Sequence, residues 1–126
     1  MAITQVNIPT PSGLVLFSDT AMGGTVDAVK ASSAKVYEVI IDNSANGAAS
    51  YVKLYNAASG GVTVGTTVPD EVIFVPGSAI ITYFVFTSAG PGKTFATALS
   101  AACVTTGGTA GTTSPTSSVV VSILYV

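Results

Sequence analysis

The chain has 126 residues and a net charge of −2, and only 8% of its positions are charged, against about 25% in typical soluble domains. Its length fits a single domain over residues 1–126, and its 48% of apolar residues is enough for a core without disulfides or a structural metal. Four cationic side chains, no histidine and one cysteine argue against nucleic-acid binding, against Ser-His or Cys-His catalysis and against a transition-metal site.

The first predicted elements are two strands, over residues Leu14–Ser18 and Lys35–Asp42. Alternation along the second strand predicts that three side chains share one face: Tyr37, Val39 and Ile41. Helices are not predicted, because Gly, Pro, Thr, Ser and Val dominate while Glu, Lys and Gln are scarce. Gly, Ser, Thr or Pro also interrupts every apolar run short of the roughly 18 residues that a membrane-spanning helix needs, so no membrane segment is predicted.

The next strand, Tyr51–Tyr55, follows a loop rich in turn-forming residues and is predicted to form a hairpin with the strand before it. Val52 and Leu54 point to one side by alternation. The other side presents an aromatic stripe with a single charge: Tyr51, Lys53 and Tyr55. Because interfaces favour tyrosine, this stripe is a candidate interface, and the alternative is the second buried face of a sandwich strand.

Three further strands are predicted: a short edge strand Val62–Val64, then Asp70–Val75 and Ala79–Phe86. The last of these is apolar on both faces, with Ile80, Phe84 and Phe86 on one face and Ile81, Tyr83 and Val85 on the other. A central strand has this pattern, and so does a strand whose second face meets another subunit. The face with Ile81, Tyr83 and Val85 therefore joins the candidate interface.

The carboxyl-terminal part is predicted to hold two strands, Phe95–Val104 and Val119–Tyr125, separated by the long loop Thr105–Ser118. Cys103 lies among small apolar residues and is interpreted as a buried core residue. Seven to eight short strands at roughly ten-residue spacing, without helices, predict an all-β fold. The expected architecture is an antiparallel β-sandwich with jelly-roll or immunoglobulin-like topology.

No motif supplies a catalytic residue or a cofactor site, so no enzyme activity is expected. Ser88–Thr94 ends like a phosphate-binding P-loop, but Thr87 stands where the motif needs its first glycine, and Pro91 removes a backbone donor. Asp70 and Glu71 are the only adjacent carboxylates, and neighbouring strand residues point to opposite faces. A calcium site is disfavoured because no D-x-D spacing occurs, although loops could bring four aspartates together: Asp19, Asp27, Asp42 and Asp70.

Several stretches of the chain resemble small β-sandwich virion proteins of tailed phages and prophages: Tyr51–Asn56, continuing through Val62–Asp70, and later Phe95–Thr109. The likeness is one of composition and position, and it carries no catalytic motif. It implies a non-enzymatic component of the virion. Synthesis in the host bacterial cytoplasm is expected, since Met1–Gln5 lacks the basic start and apolar stretch of a secretory signal.

The function that this resemblance implies is a capsid decoration (cement) subunit, a homotrimer that binds the major capsid protein or other virion proteins. The small net charge agrees with this expectation, because weak self-repulsion permits close association. The alternative is a tail or tail-fibre subunit whose loops, Asp42–Ser50 and Thr105–Ser118, recognise a host glycan. Neither function involves nucleic acid, a membrane or a cofactor.

Overall fold

The computed structural model describes residues 13–126, in which alternating apolar residues form antiparallel sheets. Met1–Gln5, the segment considered above for a secretory signal, lies outside this range. Eleven strands occur within it: β1 (Val15–Asp19), β2 (Asp27–Lys30), β3 (Ala34–Asp42), β4 (Ser50–Tyr55), β5 (Glu71–Val75), β6 (Ile80–Phe84), β7 (Phe86–Thr87), β8 (Gly90–Pro91), β9 (Lys93–Phe95), β10 (Leu99–Val104) and β11 (Val120–Tyr125). The one helical element in the described range is a 3-10 turn, Ser59–Gly61. The predicted all-β, antiparallel class is confirmed.

Two sheets enclose the core. Sheet A has the strand order β1-β11-β3-β6, with β9 also pairing with β3, and sheet B has the order β2-β10-β4-β5. Their inward side chains pack together in one apolar cluster, whose largest fully buried members include Phe95, Ile41, Leu54, Ile73, Leu99 and Ile123. β7 and β8 form a separate two-stranded ribbon. The finer jelly-roll or immunoglobulin-like assignment stays a prediction.

Three predicted strands have different limits in the structure. Val62–Val64 is not a strand, because it enters a turn in which the Thr63 carbonyl accepts two backbone hydrogen bonds. Phe95–Val104 is divided between β9 and β10, since the chain passes there from sheet A to sheet B. Ala79–Phe86 is divided into β6 and β7 at Val85. These divisions, together with the short β2 and β8, raise the number of strands above the predicted seven to eight.

The predicted hairpin between the second and third strands is wrong, because these strands are β3 of sheet A and β4 of sheet B. Buried Asn43 organises the connection. Its Nδ2 donates to the carbonyls of Ala48 and Pro76, each at 3.0 Å. Its Oδ1 accepts from Ser50 Oγ and Asn46 Nδ2, also at 3.0 Å. A fully satisfied buried amide of this kind fixes a single loop path, and that path carries the chain across the sandwich.

An irregularity in β3 changes which of its side chains face the core. The register between β3 and β11 shifts between Val36 and Glu38, which makes Tyr37 the extra residue of a β-bulge. Val36 is therefore fully buried, while Tyr37 is only half-buried. The predicted shared face is right for Val39 and Ile41, which are fully buried, and wrong for Tyr37.

Candidate functional site

Three of the six candidate interface residues lie on the outer side of β4, beneath other parts of the same chain. Lys53 and Tyr55 are both 0% exposed, and Tyr51 is half-buried. Two segments lie over this side of sheet B, and we call them the covering loops: residues 56–68 and 105–118. Because the chain's own loops occupy this surface, the interpretation of Lys53 and Tyr55 as interface residues is wrong.

Lys53 holds one of the covering loops in place. Its Nζ donates to the Gly111 carbonyl at 3.1 Å and to the Thr109 carbonyl at 3.4 Å. Burial lowers the pKa of Lys53, since loss of water disfavours the ammonium form. A buried donor that satisfies two loop carbonyls has a structural role.

Tyr55 packs between sheet B and the other covering loop. Its ring belongs to a second apolar cluster with Val62 and Ala102. Its hydroxyl is buried and has no hydrogen-bond partner within the described residues, and burial raises the pKa of Tyr55. The two covering loops also touch each other, because a Cβ added at Gly65 would overlap the Thr112 side chain. The loops and the outer side of β4 therefore pack as one unit.

The other three candidate interface residues lie in or just after β6 and face the core. Val85 is 4% exposed, and Ile81 and Tyr83 pack against the main apolar cluster. The Tyr83 hydroxyl donates to Glu71 Oε1 at 3.0 Å. Burial and then this hydrogen bond raise the pKa of Tyr83. The prediction that this side of the strand is an interface is wrong, since it is the opposite side that points away from the core.

Sheet A has an outer side on which every outward residue is exposed or half-buried. We call this surface the open face, and its members are Leu16, Ser18, Lys35, Glu38, Ile40, Asp42, Ile80, Thr82, Phe84, Thr94, Val120, Ser122 and Leu124. Among its apolar members, Leu16 is 61% exposed, Ile80 62% and Phe84 59%. These values are high for large apolar side chains in the middle and at the ends of strands, and they mark the open face as a candidate docking surface.

Cross-strand register orders the open face in rows. The first row is Leu16, Leu124, Glu38 and Phe84; the second is Ser18, Ser122, Ile40 and Thr82; the third is Val120, Asp42 and Ile80. Cross-strand neighbours share one side of the sheet about 4.8 Å apart, so six apolar side chains form a surface from β1 to β6 that Glu38 and Asp42 divide on β3. The Ser18 and Ser122 hydroxyls interrupt it and hydrogen-bond to each other at 3.1 Å.

Three residues of β3 give the open face its formal charges: Glu38, Asp42 and, at the β9 end, Lys35. Asp42 Oδ1 accepts from Ser44 Oγ at 2.6 Å and from the Ser44 N–H at 3.0 Å. These hydrogen bonds lower the pKa of Asp42, because they favour the ionised form. Asp42 is therefore charged at neutral pH, and the open face carries charged as well as apolar side chains.

The sequence did not predict the open face as a site. Ile80 and Phe84 were assigned to one side of an apolar strand, but the other side of that strand is equally apolar, so composition does not distinguish inside from outside. The useful signal lies in β3, where Glu38 and Asp42 alternate with the buried Val39 and Ile41. Charged residues an even number of positions apart, here four, lie on one side of a strand and mark that side as outward and, through the register, the same side of its neighbours.

A cleft of about 280 Å³ lies at one end of the sandwich, between residues 45–50 and residues 105 and 115–117. These are parts of the two loops that the sequence associates with glycan binding. Asn46 joins the loops: its Nδ2 donates to the Ser117 carbonyl at 3.0 Å, and its Oδ1 accepts from the Ser117 N–H at 2.8 Å. Apart from Asn46 and Pro115, the residues that line the cleft in the described range are small or hydroxyl-bearing, and none is aromatic.

The structure brings together two of the four aspartates considered for calcium, Asp19 and Asp27. Burial, and then the hydrogen bond and charge of Asp19, raise the pKa of Asp27 to about 6. Asp27 Oδ2 is buried and has no hydrogen-bond partner within residues 13–126. Asp42 and Asp70 do not join this pair, and the described part of the chain holds no group of three His, Cys, Asp or Glu side chains placed to bind a metal ion.

The remaining residues singled out in the sequence make structural contacts. Glu71 Oε2 pairs with Lys93 Nζ at 3.0 Å, and Asp70 accepts a backbone N–H at 2.7 Å. Ser88–Thr94 forms the β7–β8 turn, β8 and the start of β9, whereas a P-loop leads into a helix. Cys103 is buried, and burial raises its pKa to about 12, which makes the thiol unreactive at neutral pH.

Comparison with protein-family models, with curated proteins and with solved structures found no match to this chain. Within residues 13–126, no helix has the length and apolar content needed to cross a membrane. The open face and the cleft are candidate binding surfaces of the described chain.

Proposed function

We propose that the chain is a non-enzymatic structural subunit of a tailed-phage particle, a capsid decoration (cement) subunit that binds the major capsid protein. The observation that carries this proposal is the open face, an apolar sheet surface that residues 13–126 leave uncovered. Four strands of about six residues measure about 19 by 20 Å. The largest apolar patch on a typical monomer measures about 300–600 Å² and is often functional.

The distribution of charge supports a function in an assembly. Only 8% of the residues are charged. Of the lysines, Lys53 is buried under a covering loop and Lys93 is paired with Glu71, so few cations remain free on the described surface. Low charge reduces the repulsion between copies that pack side by side on a particle.

The proposed assembly is a homotrimer, and this requires a surface other than the open face. Val72 and Phe74 provide a candidate on the outer side of edge strand β5, where they are 36% and 52% exposed. The Phe74 ring lies 5.5 Å from the ring of Tyr51, which extends the apolar patch onto β4. Contacts through this patch leave the open face of each copy available to the capsid.

The proposal is tested by deleting the gene from the phage or prophage that encodes it. We expect particles without the chain to release their DNA at a lower temperature than particles that carry it. Mass spectrometry of separated heads and tails should find the chain in heads. Unchanged heat resistance together with a tail location would contradict a decoration function.

The part played by the open face is tested by supplying variants to the deletion phage. We expect the double variant Ile80→Ser, Phe84→Ser to be missing from purified particles, because it loses two of the most exposed apolar contacts. The matched control is Val68→Ser, which removes a 72% exposed apolar side chain outside the open face. Equal incorporation of the double variant and the control would show that another surface binds the particle.

The second candidate function is a tail or tail-fibre subunit that recognises a host glycan. One observation favours it: the two loops that the sequence singled out do line a single cleft. Small and hydroxyl-bearing side chains suit hydrogen bonding to sugar hydroxyls. Binding on a glycan array that is lost in Ala48→Arg, which fills the cleft, and kept in Ser88→Arg on the β7–β8 turn would support this candidate over the decoration function.

A further inference from the structure

β6 is an edge strand of sheet A, and its outer edge has no partner strand within residues 13–126. Charged residues on an edge strand discourage pairing with a further strand. The other edge strands of sheets A and B each carry at least one: Asp19 on β1, Asp27 and Lys30 on β2, Glu71 on β5 and Lys93 on β9. β6 has the sequence IITYF and contains neither a charge nor a proline. It therefore lacks the feature that protects the other edges.

The backbone of β6 presents hydrogen-bonding groups along this free edge. At one end of its ladder with β3, the Asn43 N–H donates to the Ala79 carbonyl at 2.9 Å. At the other end, the Val85 N–H donates to the Tyr37 carbonyl at 3.0 Å. Backbone groups along an antiparallel strand point alternately to its two sides, so the odd-numbered residues of this segment bond to β3. The residues that direct their N–H and C=O groups to the free edge are Ile80, Thr82 and Phe84.

These three residues are complementary to themselves in an antiparallel arrangement. When two β6 strands pair about an axis at Thr82, Thr82 lies opposite its own copy and Ile80 lies opposite Phe84. Every backbone group of the free edge then has a partner in the other copy. Threonine pairs, and pairs of an aromatic with a β-branched residue, are favourable cross-strand neighbours. The strand thus carries its own complement, which makes a second copy the partner that this edge fits.

The carboxylates of β3 permit this contact. Asp42 lies beside Ile80 in the ladder, and Glu38 lies beside Phe84. Two paired β6 strands therefore place Glu38 of one copy and Asp42 of the other three strand spacings apart, which is about 14 Å. Because the Debye length is about 10 Å at 0.1 M salt, repulsion across the contact is weak.

We propose that β6 pairs antiparallel with β6 of a second copy, so that sheet A continues across a two-fold axis at Thr82. Two-fold contacts of this kind bring the same residues together from both copies and are the commonest in homo-oligomers. The contact differs from the trimer contact, whose residues Tyr51, Val72 and Phe74 lie on β4 and β5. It also does not depend on the proposed function.

The pairing joins the open faces of two copies side by side. Ile80 and Phe84, which are 62% and 59% exposed in one copy, become neighbours in the middle of the joined sheet. One copy presents a projected area of about 400 Å² and the pair about 800 Å², which equals the area per partner of a standard stable interface. Under the proposed function, the two copies bind the capsid through one continuous surface.

The first test follows hydrogen exchange at the free-edge amides in the full chain labelled with nitrogen-15. The Phe74→Ser background removes the proposed trimer contact and leaves β6 intact. Pairing through one short strand is weak, so we expect it between about 0.05 and 1 mM protein. Over this range, exchange at Ile80, Thr82 and Phe84 should slow about fivefold, because their N–H groups gain acceptors. The amides that already bond to β3 should change less.

The second test places charges at the axis, in the same background. Thr82 is exposed, so Thr82→Lys and Thr82→Glu are compatible with the fold. Each variant sets like charges opposite each other and should weaken self-association about fivefold in sedimentation equilibrium. An equal mixture of the two should regain it as a heterodimer, because a lysine then faces a glutamate. The matched control is the pair Val68→Lys and Val68→Glu at a 72% exposed position outside β6, whose mixture should sediment like either variant alone.

A third pair of variants separates the backbone from the side chain. Thr82→Pro removes the N–H that points to the free edge and leaves the ladder with β3 complete, as proline on an edge strand allows. It should reduce self-association at least fivefold, because the hydrogen bonds at the axis are lost. Thr82→Val keeps the backbone donor and should associate like the parent chain.

Several outcomes would overturn the inference. These are a monomer throughout the concentration range, a mixture of Thr82→Lys and Thr82→Glu that associates no more strongly than either variant, an equal gain in the Val68 mixture, or undiminished association of Thr82→Pro. Free-edge amides protected equally at all concentrations would identify another part of the same chain as the occupant and would also overturn it. Failure of the proposed function is distinct, because it appears as unchanged heat resistance of particles and a tail location.

Discussion

The outer sides of the two sheets differ, although their inner sides share one core. In sheet B, β10 is buried along its whole length and β4 at every position except Tyr51, because the covering loops lie on them. In sheet A, β6 alternates between exposed and half-buried residues and is buried nowhere. A strand with apolar side chains on both sides needs a packing contact on each side to remove those side chains from water. In sheet B the chain makes both, and in sheet A residues 13–126 make only the inner one.

The largest expected effect comes from a substitution on the outer side of β4, which the covering loops bury. Tyr55→Ala should lower the free energy of unfolding by about 3–5 kcal/mol, because it empties a buried site between sheet and loop. The measurement is urea denaturation followed by circular dichroism. Phe84→Ala on the open face is the matched control and should change stability by about 0.5 kcal/mol or less. Similar losses at both positions would mean that the two sides do not differ as described.

The same site offers a finer test of burial. Tyr55→Phe removes the buried hydroxyl that has no partner among the described residues and should raise stability by about 1 kcal/mol. A loss of stability in Tyr55→Phe would show that the hydroxyl does have a partner, such as a buried water.

The next effect is local and concerns the attachment of a covering loop. Lys53→Met should speed amide hydrogen exchange about tenfold in residues 106–113, because the Gly111 and Thr109 carbonyls lose their donor. Global stability should change by only about 1 kcal/mol, since removing a desolvated charge offsets part of the loss. Lys35→Met is the control. Unchanged exchange in Lys53→Met would mean that packing alone holds the loop.

A pH-dependent effect is expected where the edges of the two sheets meet. Asp19 ends β1 of sheet A and Asp27 begins β2 of sheet B. Because folding raises the pKa of Asp27 from 3.8 to about 6, the folded state binds this proton more tightly. The resulting stability is fully present below pH 3.8 and is lost as the pH rises through 6.

Thermal unfolding of the chain and of Asp27→Asn over this pH range checks the effect. The stability of the parent chain relative to the variant should fall as the pH rises, because Asp27→Asn removes the titrating group. Asp70→Asn should follow the parent chain. A constant difference between the parent and Asp27→Asn would contradict the raised pKa of Asp27.

The smallest effect on folding is expected from Phe74→Ser at the proposed trimer contact. Its free energy of unfolding should change by about 0.5 kcal/mol or less, since the side chain is half exposed. Sedimentation at low micromolar concentration should nevertheless show a trimer for the parent chain and a monomer for the variant. A monomeric parent chain would contradict self-association through this patch.

Strand positions were largely predictable from the sequence where one side of a strand is apolar and the other is not. The predicted strand Val119–Tyr125 is β11 almost unchanged, and its buried residues follow the expected period of two. The sequence did not predict the extra residue at Tyr37, because a bulge depends on pairing between distant strands. It also did not predict that β3 and β4 belong to different sheets. Their separation depends on the hydrogen bonds of buried Asn43, whose partners include the carbonyls of Ala48 and Pro76.

The candidate site was predicted less well than the strands, and for a related reason. Both candidate stripes were taken from strands with large apolar or aromatic residues on each side. Lys53 and Tyr55 are buried by loops whose own sequences are mostly Gly, Thr, Ser and Ala, and nothing in such residues indicates what they cover. β6 is apolar on both sides, so its sequence does not indicate which side faces the core. Tyr83 points inward because sheet B packs against that side.

The sequence by itself determined the class of the fold, the low charge and the absence of histidine chemistry, because these follow from composition and local periodicity. Only the tertiary structure decided which apolar side meets the core, which is covered by the chain's own loops and which remains open. Burial depends on contacts between residues that are far apart in the chain. Local sequence records that a side chain is apolar, and the fold determines what it packs against.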